Sequence, residues 1–337
     1  MTNDASMPPT HDHPVPDALT TPRPDQTATG APMPPPKVRW RLVAIFAGCA
    51  LAVMTLAAAP FWFLERGTHH PAYAWSISCL GMFAPLIASL VTCRVAREKW
   101  RASTGLRFEG RWGRIVLWSI LGTALTVVLT LAAAVIMILR GVPGDLTGKT
   151  WATLVQQQLA DAGQELSIPM AVLAMLIGVG INLLVSTISA FGEEVGWRGW
   201  LWRELKPLGF TGAIVIGGVI WSLWHLPIVL IGHNYPGMPR PFAIGMFLVF
   251  CVALNLLLGA ITERSGGNPI PAAFTHSAVN TFAAIGLSMV ATTATAENMS
   301  WYLDTLMGAT GIVLISVVGW LLFPRAARAS FGTQSQE

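Results

Sequence analysis

The residues best suited to chemistry are two adjacent carboxylates and an arginine, Glu193, Glu194 and Arg198, which directly follow the apolar run 168–190. If the helix of that run continues, Glu194 and Arg198 lie four residues apart on one face and can pair. Glu193 then points about 100° away and is left free for other work. Ionisable groups at membrane depth are costly and by default mark a functional site. The alternative is a cytoplasmic loop with an ordinary ion pair.

Three further polar side chains interrupt apolar runs later in the chain. His225 follows Trp221 by one turn, and His276 precedes Asn280 by one turn, so each pair shares a helix face. A single such residue is often only a hydrogen-bond partner between helices. Two glutamates, two histidines and one asparagine on three apolar segments favour a common site instead.

This set of side chains suits peptide-bond hydrolysis. A carboxylate can activate water as a general base, and a histidine can orient that water or shuttle its proton. An asparagine amide and a second imidazole can donate to the developing oxyanion. The patterns H-E-x-x-H and G-x-S-x-G are absent from the sequence, which excludes the zincin and serine-hydrolase templates. A Zn²⁺ ion held by Glu193, His225 and His276 is chemically reasonable, although the spacing does not demand it.

The composition indicates where these residues must be held. The 337 residues are 53% hydrophobic and only 11% charged, with a mean hydropathy of +0.56. Apolar runs of about 20 residues recur, which is the length of a membrane-spanning helix. The sequence therefore predicts an all-α polytopic membrane protein with an intramembrane active site. Its eight spans are expected at about 42–63, 73–93, 115–139, 168–190, 210–231, 242–262, 269–290 and 302–323.

The charges between the spans predict the topology. Lys and Arg concentrate before span one and after spans two, four, six and eight, which places both termini and the glutamates on the cytoplasmic side of the plasma membrane. Because the basic residues lie in short loops and the net charge is only +4, they do not indicate nucleic-acid binding.

Three parts are expected along the chain. Residues 1–40 hold ten of the 23 prolines and little apolar material, which predicts a disordered cytoplasmic tail. Residues 41–325 form the membrane domain, with the motifs concentrated in 168–290, and residues 326–337 form a short cytoplasmic tail.

The tryptophans near the motifs have two interpretations. Trp197, Trp221 and Trp224 could line a lipophilic substrate cavity, whereas Trp197, Trp200 and Trp202 could instead form an interfacial aromatic belt. His233 and Asn234 fall in an outer loop and are expected to be solvated.

The depths of the motifs raise a geometric question. Glu193 ends the predicted span four, whereas His225 lies about 15 residues, or roughly 22 Å, into span five. His276 lies only about seven residues into span seven. The hydrolytic interpretation requires these side chains to converge.

The three motifs, in this order, resemble those of the CAAX prenyl protease type II and bacteriocin-processing family, the CPBP or Abi intramembrane proteases. The resemblance covers about residues 168–290 and departs from the usual pattern at Trp221, where the family most often has phenylalanine. It is carried by Glu193-Glu194-x-x-x-Arg198, Trp221-x-x-x-His225 and His276-x-x-x-Asn280.

The resemblance implies an intramembrane endopeptidase that cleaves a membrane-associated or lipidated peptide near the cytoplasmic face. It implies that Glu193 and His225 activate water and that His276 and Asn280 stabilise the oxyanion. Glu194 and Arg198 would shape the site. Both zinc-dependent and metal-free mechanisms are compatible with the family, and we favour the metal-free one.

Two other functions stay open from the sequence. The chain could be a non-catalytic bacteriocin-immunity or interaction protein that keeps the fold. It could also be a proton-coupled transporter, although the chain lacks the paired broken helices of an inverted repeat.

Overall fold

The computed structural model describes residues 37–64, 67–235 and 237–331. Residues 1–36, which are most of the predicted Pro-rich tail, and residues 332–337 of the second predicted tail lie outside the described residues. Both tails therefore stay predictions.

Helices account for the regular structure of the membrane domain. No described residue lies in a β-strand, which confirms the predicted all-α fold. Two π-helical segments, Ile77–Gly81 and Val195–Leu201, interrupt the α-helices. The α-helices are α1 (Trp40–Ala58), α2 (Pro60–Phe63), α3 (Pro71–Ser76), α4 (Ala84–Ala96), α5 (Trp100–Ser103), α6 (Trp112–Leu139), α7 (Lys149–Asp161), α8 (Ile168–Glu194), α9 (Trp202–Leu205), α10 (Gly209–Val229), α11 (Arg240–Arg264), α12 (Ile270–Ser288), α13 (Thr293–Asn298), α14 (Trp301–Asp304), α15 (Ala309–Leu322) and α16 (Arg325–Ser330).

The chain is a polytopic membrane protein, but the count of eight spans is not confirmed. Within the described residues, six stretches are long and apolar enough to cross a bilayer. One of them, Ile168–Val229, contains both α8 and α10, the predicted spans four and five. The predicted span seven corresponds to α12, which is not among the six stretches. The number eight stays a prediction.

Helix packing leaves a space between the three motif-bearing helices. α12 packs mainly against α6 and α8, whereas α10 packs against α11 and α1. α11 lies between α10 and α15 and also contacts α12. Because α8 and α10 meet different neighbours, their motif-bearing faces surround a gap rather than a helix–helix contact.

The chain stays helical beyond the carboxylates and packs closely against its neighbours at two glycines. After Glu194 it continues as the π-helical segment Val195–Leu201 and then as α9. A Cβ atom built on Gly196 would lie 2.4 Å from Cβ of Pro85 in α4, which is too close for any side chain. A Cβ on Gly192 would lie 2.9 Å from the backbone oxygen of Met82. The two glycines thus bring the carboxylate-bearing turn directly against α4 and bury it.

Most of the length of α8 has a different environment. Although the helix is apolar, its large side chains from Met170 to Ile188 are mostly exposed in the structure. In a membrane protein such a face lies against lipid. The exposed residues are Met170, Leu173, Leu176, Ile177, Ile181, Leu184, Val185 and Ile188.

The helix bundle has two chemically distinct ends. The basic end comprises the start of α1 and the loops 97–111, 202–208 and 265–269. Here Arg39 pairs with Glu204 and Glu98, and Lys206 Nζ lies 2.7 Å from Glu263 Oε1.

The opposite end comprises the described parts of loops 64–70, 140–167, 230–239 and 289–308. There Arg140 pairs with Asp304, and the hydroxyl of Tyr235 donates to the carbonyl of Met307. These contacts tie the loops at each end to one another.

Candidate active site

The carboxylate pair and Arg198 form a buried charged cluster. Glu193 is 2% exposed, and Glu194 and Arg198 are fully buried. Arg198 Nη1 lies 2.9 Å from Glu194 Oε1, which confirms the predicted pairing on one helix face. A solvated loop is excluded, because its charged side chains would be exposed.

Glu194 also holds the histidine of α12. His276 Nδ1 lies 2.8 Å from the same oxygen, Oε1, that accepts from Arg198. The other oxygen of Glu194 is buried and has no hydrogen-bond partner among the described residues. Glu194 therefore acts as the link between the arginine and His276.

Trp221 joins the rest of the cluster. Its indole Nε1–H donates to Glu193 Oε2 at 3.1 Å, and the guanidinium of Arg198 lies over its ring, 4.0 Å from the centroid. The ring of His276 meets the Trp221 ring edge to face, with centroids 5.4 Å apart. Phenylalanine at this position would keep the ring contacts and lose the hydrogen bond to Glu193. The departure from the usual family pattern is therefore not neutral.

The hydrogen bond of His225 to the backbone defines which of its ring nitrogens is free to accept a hydrogen bond in the cavity. His225 Nδ1 lies 2.9 Å from the backbone oxygen of Trp221, and a carbonyl can only accept. Nδ1 therefore carries the proton, so Nε2 of the neutral ring is an acceptor. The ring packs between Trp224 and Phe247, with centroid distances of 4.4 and 4.7 Å. This packing fixes the direction of Nε2.

Glu193, His225, His276 and Asn280 line one cavity of about 730 Å³, so the side chains of the three motifs converge. Convergence is possible because the helical run that carries Glu193 does not end with α8. The chain continues as helix to Leu205, which carries the carboxylate further into the bundle than the predicted end of span four. Asn280 is the most exposed of the four.

Only two of the three tryptophans predicted to line a substrate cavity do so. Trp221 and Trp224 line the cavity, whereas Trp197 does not. Trp197 is buried behind Trp224, with ring centroids 5.6 Å apart, and its other side contacts Phe46. The interfacial belt is also wrong, because Trp197, Trp200 and Trp202 are all buried.

Several lining residues come from distant loops and carry no motif. His233, expected to be solvated, is half-buried and lies 3.0 Å from the hydroxyl of Tyr73 through its Nδ1. Trp75, Trp301 and Cys251 also line the cavity. The only sequence signal for His233 is its position shortly after the His225 motif, which does not reveal the fold-back of the loop.

A group of three potential metal ligands lies within the cluster. Ligand atoms of Glu193, Glu194 and His276 lie within 4.8 Å of one another. Two carboxylates and one imidazole are a suitable donor set for Zn²⁺, and the unpartnered oxygen of Glu194 is available to it. The group differs from the expected zinc set in having Glu194 in place of His225.

The hydrogen bond from Trp221 leads to a specific prediction. We expect Trp221→Phe to lower the rate of peptide cleavage by about 10-fold or more, since a hydrogen bond to a charged group contributes about 1.5–3 kcal/mol. The measurement is kcat/KM across pH, because loss of a donor to the Glu193 carboxylate changes the pH profile as well as the rate.

Trp224→Phe is the matched control for this prediction. Trp224 lines the same cavity, but its Nε1 has no hydrogen-bond partner among the described residues. Equal losses of activity in the two variants would show that ring volume, and not the bond to Glu193, matters at Trp221.

The middle of the chain is similar to known proteins. Residues 175–282 match the family described as type II CAAX prenyl endopeptidase Rce1-like. A segment of 54 residues is 33% identical to CAAX prenyl protease 2 of Methanococcus maripaludis. This segment covers 16% of the chain and only 20% of that relative. The matched range includes every residue of the three motifs: Glu193, Glu194, Arg198, Trp221, His225, His276 and Asn280.

Proposed function

Because residues 175–282 match the type II CAAX prenyl endopeptidase Rce1-like family, we propose that this chain is a member of the CPBP family and hydrolyses a peptide bond inside the membrane. The substrate is a membrane-associated or lipidated peptide. One observation carries the proposal: a buried carboxylate, two imidazoles and an amide from three separate helices line a single cavity. The cavity volume of about 730 Å³ is suitable for a short peptide segment.

Glu193 is the proposed general base. It removes a proton from a water molecule in the cavity while the water oxygen attacks the carbonyl carbon of the scissile bond. The Nε2 acceptor of His225 orients this water, because Nδ1–H is already engaged by the backbone of Trp221. Glu193 then returns the proton to the leaving amine. Trp221 holds the carboxylate in position throughout.

His276 and Asn280 are the proposed donors to the oxyanion. Asn280 lines the cavity, and its amide can donate directly. His276 uses Nδ1 toward Glu194, so donation from Nε2 requires a proton on both ring nitrogens. Glu194 would be the counter-ion of that imidazolium, and Arg198 would keep Glu194 in place.

A metal ion is the alternative means of activating water. Glu193, Glu194 and His276 would hold it, and a bound Zn²⁺ would supply Lewis-acid polarisation of the water and of the substrate carbonyl. We favour the metal-free mechanism, in which Arg198 and His276 already neutralise Glu194.

The proposed environment is the plasma membrane, with the basic end and both termini in the cytoplasm. The concentration of Lys and Arg at the basic end supports this orientation. The bilayer itself is the partner of the exposed apolar faces, and the peptide substrate occupies the cavity.

The test is cleavage of a library of membrane-anchored and lipidated peptides by purified protein in lipid nanodiscs. We expect the wild type to cleave with and without a chelator. His225→Ala is expected to cleave at least about 10²-fold more slowly than the wild type. The readout is the mass of the released fragments.

His69→Ala is the matched control, because His69 is an exposed histidine outside the cavity lining. Loss of cleavage with chelator and its recovery with Zn²⁺ would overturn the metal-free mechanism. Equal rates for His225→Ala and wild type would overturn the proposed role of His225. No cleavage of any peptide would favour a non-catalytic protein.

A further inference from the structure

The residues that line the cavity come from one half of the bundle. Glu193, Trp221 and His276 lie at its inner part, and the remaining lining extends to the loops of the opposite end. Among the described residues, none of the loops that define the basic end contributes to the lining. The residues contributed by the opposite end and its adjoining helix starts are Tyr73, Ala74, Trp75, His233, Asn234, Tyr235, Trp301, Thr305, Leu306 and Met307.

The space between the carboxylates and the basic end is filled. The π-helical segment follows Glu194 directly, and its Trp197 and Trp200 are buried against Phe46 of α1. Beyond them, Glu204 at the end of this helical run pairs with Arg39. Side chains therefore fill the space between the site and the basic end, whereas the cavity extends from the site toward the opposite end.

The charge distribution relates the two ends to the two sides of the membrane. Lys and Arg are enriched in cytoplasmic loops, and the bias counts most in short loops near helix ends. The basic end carries many cations, whereas the described loops of the opposite end hold Arg140 and Lys149, with Arg240 at the adjoining start of α11, against five carboxylates. These carboxylates are Asp145, Asp161, Glu165, Glu297 and Asp304. This distribution places the opposite end outside the cytoplasm.

Two exposed tryptophans at the rim agree with a mouth at the outer interface. Trp75 is 74% exposed and Trp301 is 53% exposed, and both line the cavity. Tryptophan is enriched where hydrocarbon meets water. Exposed residues of α8, Asn182 and Val185, also line the cavity, so the mouth extends to the lipid-facing side of the bundle.

We propose that the cavity is entered from the extracytoplasmic end and not from the cytoplasmic face that the sequence led us to expect. The substrate class follows, and this part rests on the proposed peptidase function. It is a peptide anchored in the membrane by a lipid or an apolar segment, with its scissile bond in the outer half of the bilayer. A cytoplasmic C-terminal tail would meet the packed basic side instead.

The test measures access rather than activity. Proteins with a single cysteine, made in a background with all four native cysteines replaced by serine or alanine, are exposed in spheroplasts to a small membrane-impermeant methanethiosulfonate. Asn234→Cys reports on the mouth, Asn280→Cys on the interior, and Arg101→Cys, at an exposed residue of α5, on the basic end. Labelling is repeated after permeabilisation.

We expect Asn234→Cys and Asn280→Cys to be labelled in intact spheroplasts and Arg101→Cys only after permeabilisation. Two results would overturn the inference. In the first, Asn234→Cys is labelled in intact spheroplasts, but Asn280→Cys is labelled only after permeabilisation or not at all. In the second, Arg101→Cys is labelled in intact spheroplasts. Gel filtration in detergent checks that each variant is folded. If Asn234→Cys or Asn280→Cys is not folded, Thr305→Cys, at another residue of the cavity lining, replaces it. Because labelling does not need catalysis, an inactive protein with outside access would refute only the proposed function.

Discussion

The Glu193→Gln variant is expected to cleave peptides about 10²–10⁴-fold more slowly than the wild type, the usual contribution of a general base. Glutamine keeps the size of the side chain and can still accept the hydrogen bond from Trp221 Nε1. It cannot take a proton from water. The measurement is single-turnover cleavage in nanodiscs, which separates the chemical step from substrate binding and product release.

Glu109→Gln is the matched control for this prediction, because Glu109 is an exposed glutamate at the basic end. Equal thermal stability of Glu193→Gln and wild type would show that any loss of rate is chemical. Cleavage by Glu193→Gln at the wild-type rate would remove Glu193 as the base and would leave Glu194 as the only other carboxylate of the cluster.

The Arg198→Met variant is expected to lose about 3–5 kcal/mol of unfolding free energy, the usual cost of leaving one charge of a buried pair without its partner. Arg198 and Glu194 are both fully buried, so water cannot replace the arginine. For a chain of 337 residues, the corresponding fall in the midpoint of thermal unfolding is roughly 4–7 °C, at about 2.1 cal/mol/K of unfolding entropy per residue. The measurement is thermal unfolding of the protein in detergent with and without the substitution.

A double variant separates stability from catalysis. Arg198→Met combined with Glu194→Gln removes both charges and is expected to regain most of the lost stability. Cleavage should stay low, because His276 Nδ1 would no longer have a carboxylate partner. Arg101→Met, at an exposed arginine, is the control for removing a cation. An unchanged unfolding midpoint in Arg198→Met would contradict the account of the buried pair.

The local features of the site were predictable from the sequence because helical spacing determines them. Glu194 and Arg198 are four residues apart, and the structure pairs them. The convergence of the three motifs was a requirement and not a prediction. It depends on the extension of the helix past Glu194 and on the close contact of Gly192 and Gly196 with the start of α4 and the residues just before it. Sequence spacing contains no information about that contact.

The position of the cavity depends on contacts between residues far apart in the chain. Tyr73 and His233 are separated by 160 positions, yet they meet at the lining. The expectation of a site near the cytoplasm rested on Glu193 being the last residue of a span. Once the helix continues, the end of the apolar run no longer marks the surface.

The hydrogen bond of Trp221 could not be predicted from the sequence for a related reason. An aromatic ring in either residue fills the same volume, so exchange of phenylalanine for tryptophan looks conservative in a sequence. The indole nitrogen matters only because Glu193 from another helix lies 3.1 Å away. A hydrogen bond between helices is a property of the packed protein and cannot be read from one motif.

The helix that carries Glu193 is exposed along most of its length, from Met170 to Ile188. Where a soluble enzyme would set the tilt of such a helix with protein contacts, here acyl chains are the neighbours on that side. A helix adjusts its tilt to the hydrocarbon thickness around it. The bilayer is therefore part of the framework that positions the base, and the geometry of the site belongs jointly to the protein and to the lipid composition of its membrane.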